Sequence, residues 1–278
     1  MALTTTAFDW VCTLVRKESA IVLEAGKEYL VESRLLPLAR AAGKPDVDAY
    51  VGELMRRRNP VALTQVVEAL TTNETSFFRD AEPFTALKNT VLPTLAAARG
   101  GRTIRVWCAA CSSGQEPYSI AISALDTPAL RGQPVDVLGT DLSELMVNRA
   151  RRGEYSQLEV NRGLPATSLV KHFERAGVNW RVSSTISSHV SFRTLNLVRP
   201  FPALGRFDIV FIRNVLIYFD VETKRDILRR VRQVMAPDGY LFLGAAEMTM
   251  GIDDAWERLP AGRSSIYRLR SGVASGAA

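Results

Sequence analysis

Beyond about residue 102, short apolar segments alternate with amphipathic ones, and this alternation limits the possible folds more than any other feature. The strand-like segments are TIRVWCAA, VDVLGTD, FDIVFIRN and GYLFLG, and the helix-like segments between them are PYSIAISAL, SELMVNRARRG and VETKRDILRRVRQVM. Strands that are apolar throughout need cover on both faces, which helices supply in a parallel sheet. The pattern predicts a doubly wound α/β domain over residues 102–278.

The alternation breaks between Gly153 and Leu197. There the segment NWRVSSTISSHVSFRTLNL changes between apolar and polar residues with a period near two, as antiparallel strands do. It predicts a small antiparallel β-subdomain inserted at about residues 175–195. SSIYRLR predicts a last strand, and the tail of residues 271–278 is expected to be disordered.

The first part of the chain is helical in pattern. Residues 8–71 repeat apolar side chains at three- and four-residue intervals, and Gly43-Lys44-Pro45 and Asn59-Pro60 punctuate them as helix stops and starts. We predict an all-α N-terminal domain over residues 1–85, then a helix and linker over residues 86–101.

Composition narrows the chemistry. The 3 cysteines are too few for a disulfide framework, and the 2 histidines leave little material for a histidine metal site or a Ser-His-Asp triad. No apolar run approaches the roughly 20 residues of a membrane span, and the N-terminus lacks the pattern of a signal peptide. We therefore expect a cytoplasmic protein without a metal and without membrane insertion.

The net charge of +6 and the pI near 9.4 suit an anionic partner such as nucleic acid, lipid headgroups or an acidic protein. Basic runs interleaved with aromatic residues, which are typical of nucleic-acid binding, are missing from the sequence. We expect no nucleic-acid partner.

Candidate ligand residues follow the predicted strands, because ligands bind beyond the carboxyl ends of an open parallel sheet. Small residues fill the loop from Ala109 to Gly114 and allow close approach to its backbone. Asp141 ends the second strand, where an acidic residue either accepts hydrogen bonds from ribose hydroxyls or caps the next helix.

Two further strands end in polar residues. Arg213 and Asn214 follow four apolar residues, with Tyr218 on the next turn. Because buried polar groups without partners are costly, these side chains predict a pocket. Asn196 ends the inserted segment and is a fourth element of the same edge.

Two motifs have a competing interpretation. Cys108 and Cys111 have the CxxC spacing of a redox site, but no helix is expected to begin before Gly114. The segment TTNETSFFRD, residues 71–80, faces a ligand, starts a helix through a capping box of Thr71 and Glu74, or does both.

In combination, these segments resemble the CheR-type chemotaxis receptor methyltransferases. The resemblance rests on TNETSFFRD, WCAACSSGQEPYSIA, GTDLS, LNL, FDIVFIRNVLIYFD and GYLFLG with Glu247 behind it, and it covers nearly the whole chain. It implies a Rossmann-like class I methyltransferase domain after a helical domain. It also implies methyl transfer from S-adenosylmethionine to receptor glutamates, with S-adenosylhomocysteine as product.

The resemblance also implies roles for individual residues. The implied cofactor contacts are Asn73, Thr75, Arg79, Glu116, Asp141, Asn196, Leu197, Asn214 and Val215. Arg79 and Tyr218 are the implied catalytic residues. A glutamate carboxylate has a pKa near 4.3 and is ionised at neutral pH, so a histidine base is not needed.

Relatives of this family act on the cytoplasmic helical domain of membrane chemoreceptors, and we expect the same partner and a monomeric enzyme. Residues 1–100 hold 12 Lys plus Arg and 12 Asp plus Glu, so attraction to acidic receptor helices requires a local face such as Arg56-Arg57-Arg58. The chain departs from the family at Ala245-Ala246, where relatives usually carry His-Ser.

Two alternatives remain open. One is a methyltransferase for nucleic acid or a small molecule, although no base-flipping motif follows the strands. The other is a non-catalytic adaptor that binds the cofactor or the receptor.

Overall fold

A computed structural model describes residues 3–130, 132–261 and 264–270. The chain divides into two compact units, Met1–Thr72 with Tyr218–Thr223, and Asn73–Ile217 with Lys224–Ala278. The predicted tail of residues 271–278 lies outside the described residues. None of the described helices is both long and apolar enough to cross a membrane.

The first unit is built from four helices, as the apolar periodicity predicts. They are α1 (Thr5–Ser19), α2 (Glu28–Ala41), α3 (Val47–Arg57) and α4 (Pro60–Ala69). Their shared core includes Val11, Val15, Val31 and Leu35, none of which has exposed surface. Side chains of Thr4, Asp46 and Asn59 accept backbone N–H groups at the starts of α1, α3 and α4, which fixes where these helices begin.

The boundary between the units differs from the predicted one after residue 85. The structure places it between Thr72 and Asn73. The physical reason is burial: Phe77 and Phe84 lie in the core of the second unit, together with Leu87 and Leu92 from the helical segment that follows. Residues 73–101 therefore belong to the sheet-containing unit and not to a linker.

The helix predicted within residues 86–101 is irregular and begins earlier, at Glu82. It consists of α5 (Glu82–Ala86), one π-helical turn (Leu87–Val91) and α6 (Leu92–Arg99). The π turn ends at Val91, two residues before Pro93, which has no backbone N–H to continue the α-helical ladder.

The second unit contains a seven-stranded sheet in the order β6-β2-β1-β7-β8-β10-β9. Its strands are β1 (Ile104–Ala109), β2 (Val135–Asp141), β6 (Val190–Thr194), β7 (Phe207–Ile212), β8 (Met235–Leu243), β9 (Trp256–Leu259) and β10 (Ser265–Leu269). The first five strands in spatial order pair in parallel. Strand β10 pairs antiparallel with both β8 and β9. Helices α7 (Gln115–Leu125), α8 (Glu144–Arg152) and α12 (Val221–Gln233) connect the strands, which confirms the predicted doubly wound α/β fold.

The insertion differs from the prediction in its second half. A three-stranded antiparallel sheet does occur, in the order β3-β5-β4, from β3 (Glu154–Tyr155), β4 (Phe173–Ala176) and β5 (Asn179–Val182), with short helices α9 (Gln157–Asn161) and α10 (Ala166–His172). The segment after β5 instead forms helix α11 (Ser184–Ser187), and Val190–Thr194 pairs in parallel with β2 in the large sheet. A period of two indicates a half-exposed strand but does not specify its partner.

An ion cluster joins two strands of the large sheet near their amino ends. Arg99 Nε donates to Asp208 Oδ1 at 2.6 Å, and its two terminal nitrogens donate to the carboxylate of Asp238 at 2.7 and 2.8 Å. Asp208 lies on β7 and Asp238 on β8, so the last residue of α6 holds both strands.

We predict that the Arg99–Asp238 pair makes stability depend on acid pH. The Arg99 hydrogen bond lowers the pKa of Asp238 from its ordinary value of 3.8, so this contribution is complete above pH 3.8 and is lost as the pH falls through the folded-state pKa. Because the Asp238 side chain is 44% exposed, screening limits the contribution to about 1 kcal/mol. Urea unfolding of wild type and Asp238→Asn should show that difference at pH 6, and the difference should shrink as the pH is lowered below 3.8. An Arg99→Met background should abolish it.

Candidate functional site

The carboxyl ends of four parallel strands meet at one edge of the large sheet. Ala109 of β1 is in register with Thr140 of β2 and Ile212 of β7, and Asp141 of β2 is in register with Thr194 of β6. Asp141 ends β2, and Glu116 lies in the first turn of α7, the helix that follows β1. Asn196 and Leu197 follow β6, and Asn214 and Val215 follow β7. The structure therefore brings these six sequence-predicted residues to one edge.

The loop after β1 has an unusual backbone. Ala110, Ser112 and Gly114 all have positive φ, at 58°, 48° and 95°. A Cβ atom on Gly114 would lie 2.8 Å from the Cβ of Ala150, so this position requires glycine. Helix α7 begins at Gln115. Its N-cap residue is Gly114, and no side chain forms a capping hydrogen bond at this end of the helix.

Asp141 joins the β1 loop to the β2 loop. Its Oδ2 accepts the N–H of Ser112 at 2.7 Å, and its Oδ1 accepts the N–H of Ser143 at 2.9 Å. The N-cap of α8 is Ser143, whose side chain accepts the N–H of Met146. The alternative in which Asp141 caps this helix is therefore wrong.

Arg213 is buried within an ion-pair cluster. Its Nη1 donates to Glu116 Oε2 at 2.5 Å, and its Nη2 donates to Asp80 Oδ2 at 2.7 Å and to the carbonyl of Arg79 at 3.0 Å. The Arg213 side chain is only 1% exposed. Two carboxylates compensate its charge. The prediction that Arg213 lies in an open pocket is therefore wrong.

Glu116 is shared between that cluster and β1. Its Oε1 accepts the Sγ–H of Cys108 at 3.1 Å. Burial raises the pKa of the Cys108 and Cys111 thiols well above their ordinary value, which disfavours the reactive thiolate. Because α7 also begins after both cysteines, the structure gives no support to the redox interpretation of the CxxC spacing.

The loops after β6 and β7 are each held by a residue that sequence reasoning missed or left without a role. Arg230 on α12 donates to the carbonyls of Leu197 at 2.7 Å and Arg199 at 2.6 Å. Glu247 accepts the N–H groups of Asn214 at 2.8 Å and Val215 at 2.9 Å. Arg230 and Glu247 both bind backbone groups, so no pattern of side-chain types in the sequence indicates these contacts.

The segment of residues 73–81 is an ordered loop in the second unit and not the start of a helix. Helix α5 begins only at Glu82, so Thr71 does not serve as the N-cap predicted for it. Phe78, Asp80 and Ala81 have φ values of 48°, 67° and 35°, which are strained for side-chain-bearing residues.

Several contacts fix this loop on the carboxyl edge. The Ser112 hydroxyl donates to the carbonyl of Asn73 at 2.9 Å, and the N–H of Phe78 donates to Ser119 Oγ at 3.0 Å. Phe77 is fully buried and packs edge-to-face on Tyr155, with ring centroids 5.0 Å apart. Thr75 lies in the same loop and is partly buried.

The two predicted catalytic residues fall in different units. Arg79 belongs to the loop on the carboxyl edge, where its Nη1 donates to the carbonyl of Glu74 at 2.8 Å. Tyr218 ends a 3-10 turn, Leu216–Tyr218, and groups with the first unit, where its carbonyl accepts the N–H of Val22 at 3.4 Å. The described residues contain no group of three or more His, Cys, Asp or Glu side chains able to hold a metal ion.

This edge defines an α/β domain of the class that binds a nucleoside cofactor beyond the ends of its strands. The chain belongs to the CheR methyltransferase family. The family's SAM-binding domain matches residues 73–263, and its all-alpha domain matches residues 6–71.

Similar curated proteins share this assignment. The chain is 43% identical over 269 residues to chemotaxis protein methyltransferase 1 of Pseudomonas aeruginosa, covering 95% of this chain and 97% of the relative. It is 40% identical to chemotaxis protein methyltransferase Cher2 of Pseudomonas putida, covering 95% and 98%. It is 38% identical to chemotaxis protein methyltransferase 1 of Vibrio cholerae, covering 93% and 95%.

We predict that Gly163 is required for the loop of residues 73–81 to dock. A Cβ at Gly163, where φ is +90°, would lie 2.1 Å from the carbonyl oxygen of Phe77. Gly163→Ala should lower the free energy of unfolding by about 3 kcal/mol, combining backbone strain and overlap.

The matched control for this substitution is Gly177→Ala. Gly177 also has a positive φ, of +63°, but nothing lies within 4 Å of an added Cβ. Gly177→Ala should lower the free energy of unfolding by about 1 kcal/mol, because it introduces backbone strain alone. Equal losses in the two variants, measured by urea unfolding, would contradict the role of close packing at Gly163.

Proposed function

We propose that this protein transfers the methyl group of S-adenosylmethionine to glutamate side chains of chemoreceptors, forming methyl esters for sensory adaptation. The observation that carries the proposal is the match of both CheR family domains: the all-alpha domain matches within the first unit, and the SAM-binding domain matches the second unit together with Tyr218–Thr223. The names of the relatives support the same activity across nearly the full chain.

The hydrogen-bond acceptors at the carboxyl edge fit this cofactor. S-adenosylmethionine carries ribose hydroxyls and an ammonium group, which donate hydrogen bonds, and the edge holds the carboxylates of Asp141 and Glu116. We assign ribose binding to Asp141. Glu116 is assigned as an acceptor for the ammonium group, and the remaining proposed contacts are Asn73, Thr75, Arg79, Asn196, Leu197, Asn214 and Val215.

When bound, S-adenosylmethionine supplies a methyl group on a positively charged sulfur. The receptor glutamate is already ionised at neutral pH, so no residue of this chain has to remove a proton from it. The enzyme's contribution is to orient the carboxylate and to exclude water, effects that supply on the order of 7–11 kcal/mol when alignment is good.

Arg79 and Tyr218 are the proposed catalytic residues. The guanidinium of Arg79 has the planar geometry that binds a carboxylate through two parallel hydrogen bonds, and we propose that it orients the carboxylate of the cofactor or of the substrate. Tyr218 is proposed as a wall or hydrogen-bond donor of the active site.

The proposed partner is the cytoplasmic helical domain of membrane chemoreceptors, and the proposed location is the cytoplasm. Arg56, Arg57 and Arg58, at the C-terminal end of α3, are exposed and form the proposed contact for acidic receptor helices. The monomeric state stays a prediction.

A labelled-transfer experiment tests this function. With methyl-labelled cofactor and a receptor-containing membrane fraction, we expect label on receptor protein that mild base releases, because methyl esters hydrolyse under conditions where methylamines survive. Label on nucleic acid would favour the alternative methyltransferase. Cofactor binding without any transfer would favour the non-catalytic adaptor.

The ribose role of Asp141 gives a binding prediction. Asp141→Asn should weaken S-adenosylhomocysteine binding by about 10- to 100-fold, the scale of one lost charged hydrogen bond. Asp136→Asn is the matched control, since Asp136 lies on the same strand near its opposite end and is exposed. Calorimetry should show unchanged affinity for Asp136→Asn, and unchanged affinity for Asp141→Asn would remove the assignment.

A further inference from the structure

We propose that Glu247 is a positioning residue that sets the conformation of the loop carrying Asn214 and Val215. This inference rests on the proposed function, because those two residues are the proposed cofactor contacts. Glu247 itself acts through the backbone of the loop and is not assigned any contact with cofactor or substrate.

The carboxylate of Glu247 binds five backbone N–H groups from two loops. Oε2 accepts Gly244 at 2.7 Å and Asn214 at 2.8 Å. Oε1 accepts Val215 at 2.9 Å, Leu216 at 2.7 Å and, more weakly, Ile217 at 3.4 Å. The loop after β8 therefore holds the loop after β7 at four consecutive amides.

Burial makes this arrangement specific for a carboxylate. Glu247 is 5% exposed, and in the part of the chain that the structure describes its partners are all backbone N–H groups. An ionised carboxylate only accepts hydrogen bonds, so it can serve all these donors. A glutamine amide of the same shape would turn an NH2 group toward backbone N–H groups and leave some of them unsatisfied.

The carboxylate of Glu247 helps to maintain the backbone conformation of Asn214. Its φ is 58°, in the left-handed region, which few side-chain-bearing residues adopt and which Asn adopts more readily than most of them. Without the acceptor at its N–H, the residue loses a contact that opposes relaxation to an ordinary backbone conformation. Relaxation there would move Asn214 and Val215 together.

Gly244 provides an independent observation. A Cβ at this position would lie 2.6 Å from Glu247 Oε2 and 2.9 Å from the backbone nitrogen of Asn214. The glycine directly after β8 therefore leaves the space in which the carboxylate binds the neighbouring loop. Ala245 and Ala246, between them, are exposed, so the arrangement does not require the His-Ser pair usual in relatives.

A rigid loop favours cofactor binding because less conformational entropy is lost when the ligand orders its contacts. Glu247→Gln should therefore raise the dissociation constant for S-adenosylhomocysteine about tenfold or more. In steady-state assays the KM for S-adenosylmethionine should rise more than kcat falls. Hydrogen exchange of the amides of residues 214–217 should accelerate in the same variant.

Two further variants separate positioning from general stability. Arg99→Met is the matched control, because Arg99 joins the same strands, β7 and β8, through Asp208 and Asp238 near their other ends. It should lower the melting temperature without changing cofactor affinity. Glu247→Asp keeps the charge on a side chain one carbon shorter and should weaken binding less than Glu247→Gln.

Gly244→Ala tests the geometry while Glu247 is retained. It should reproduce the binding defect of Glu247→Gln, and the double variant should bind no worse than the single variants, since both remove one interaction. The inference is overturned if folded Glu247→Gln binds S-adenosylhomocysteine as tightly as wild type. An affinity loss no larger than in Arg99→Met, with unchanged exchange at residues 214–217, would also overturn it. Failure of wild type to bind or transfer would instead overturn the proposed function.

Discussion

Three buried carboxylates organise the carboxyl edge of the large sheet. Asp141 joins the loops after β1 and β2, Glu116 connects β1 to the guanidinium of Arg213, and Glu247 joins the loops after β7 and β8. Each charge is compensated by donors from two chain segments, because a buried carboxylate without partners is too costly to retain. The requirement to satisfy these charges therefore fixes the relative positions of the loops that carry the site.

The loop of residues 73–81 depends on the same requirement. Arg213 binds Glu116 within the edge and Asp80 on the loop, so one guanidinium attaches the loop to the sheet. The Phe77 ring, buried against Tyr155, supplies the apolar part of the attachment. These contacts hold three residues at positive φ, and they explain how a segment without helix or strand hydrogen bonds is ordered there.

The location of much of the candidate site could be predicted, because in a parallel sheet the carboxyl ends of the strands lie at one edge. Asp141 and Asn214 follow recognisable apolar strands, so their common location follows from the pattern alone. Glu247 and Arg230 could not be assigned roles in this way, since they act on backbone groups distant in sequence. The interpretation of Thr71 and Glu74 as a capping box is wrong, since the helix begins only at Glu82. A local pattern cannot reveal that Phe77 is buried in the core of the second unit.

The sequence by itself determined the order of the main helices and strands outside the insertion, the all-α first part, the doubly wound sheet and the residues placed at its carboxyl edge. These follow from hydrophobic periodicity and from residue types at strand ends, which are local properties. Only the tertiary structure decided where the units divide, which sheet Val190–Thr194 joins, and how Arg213 and Glu247 are compensated. Those outcomes depend on burial and hydrogen bonding between distant segments, whose energies no local pattern contains.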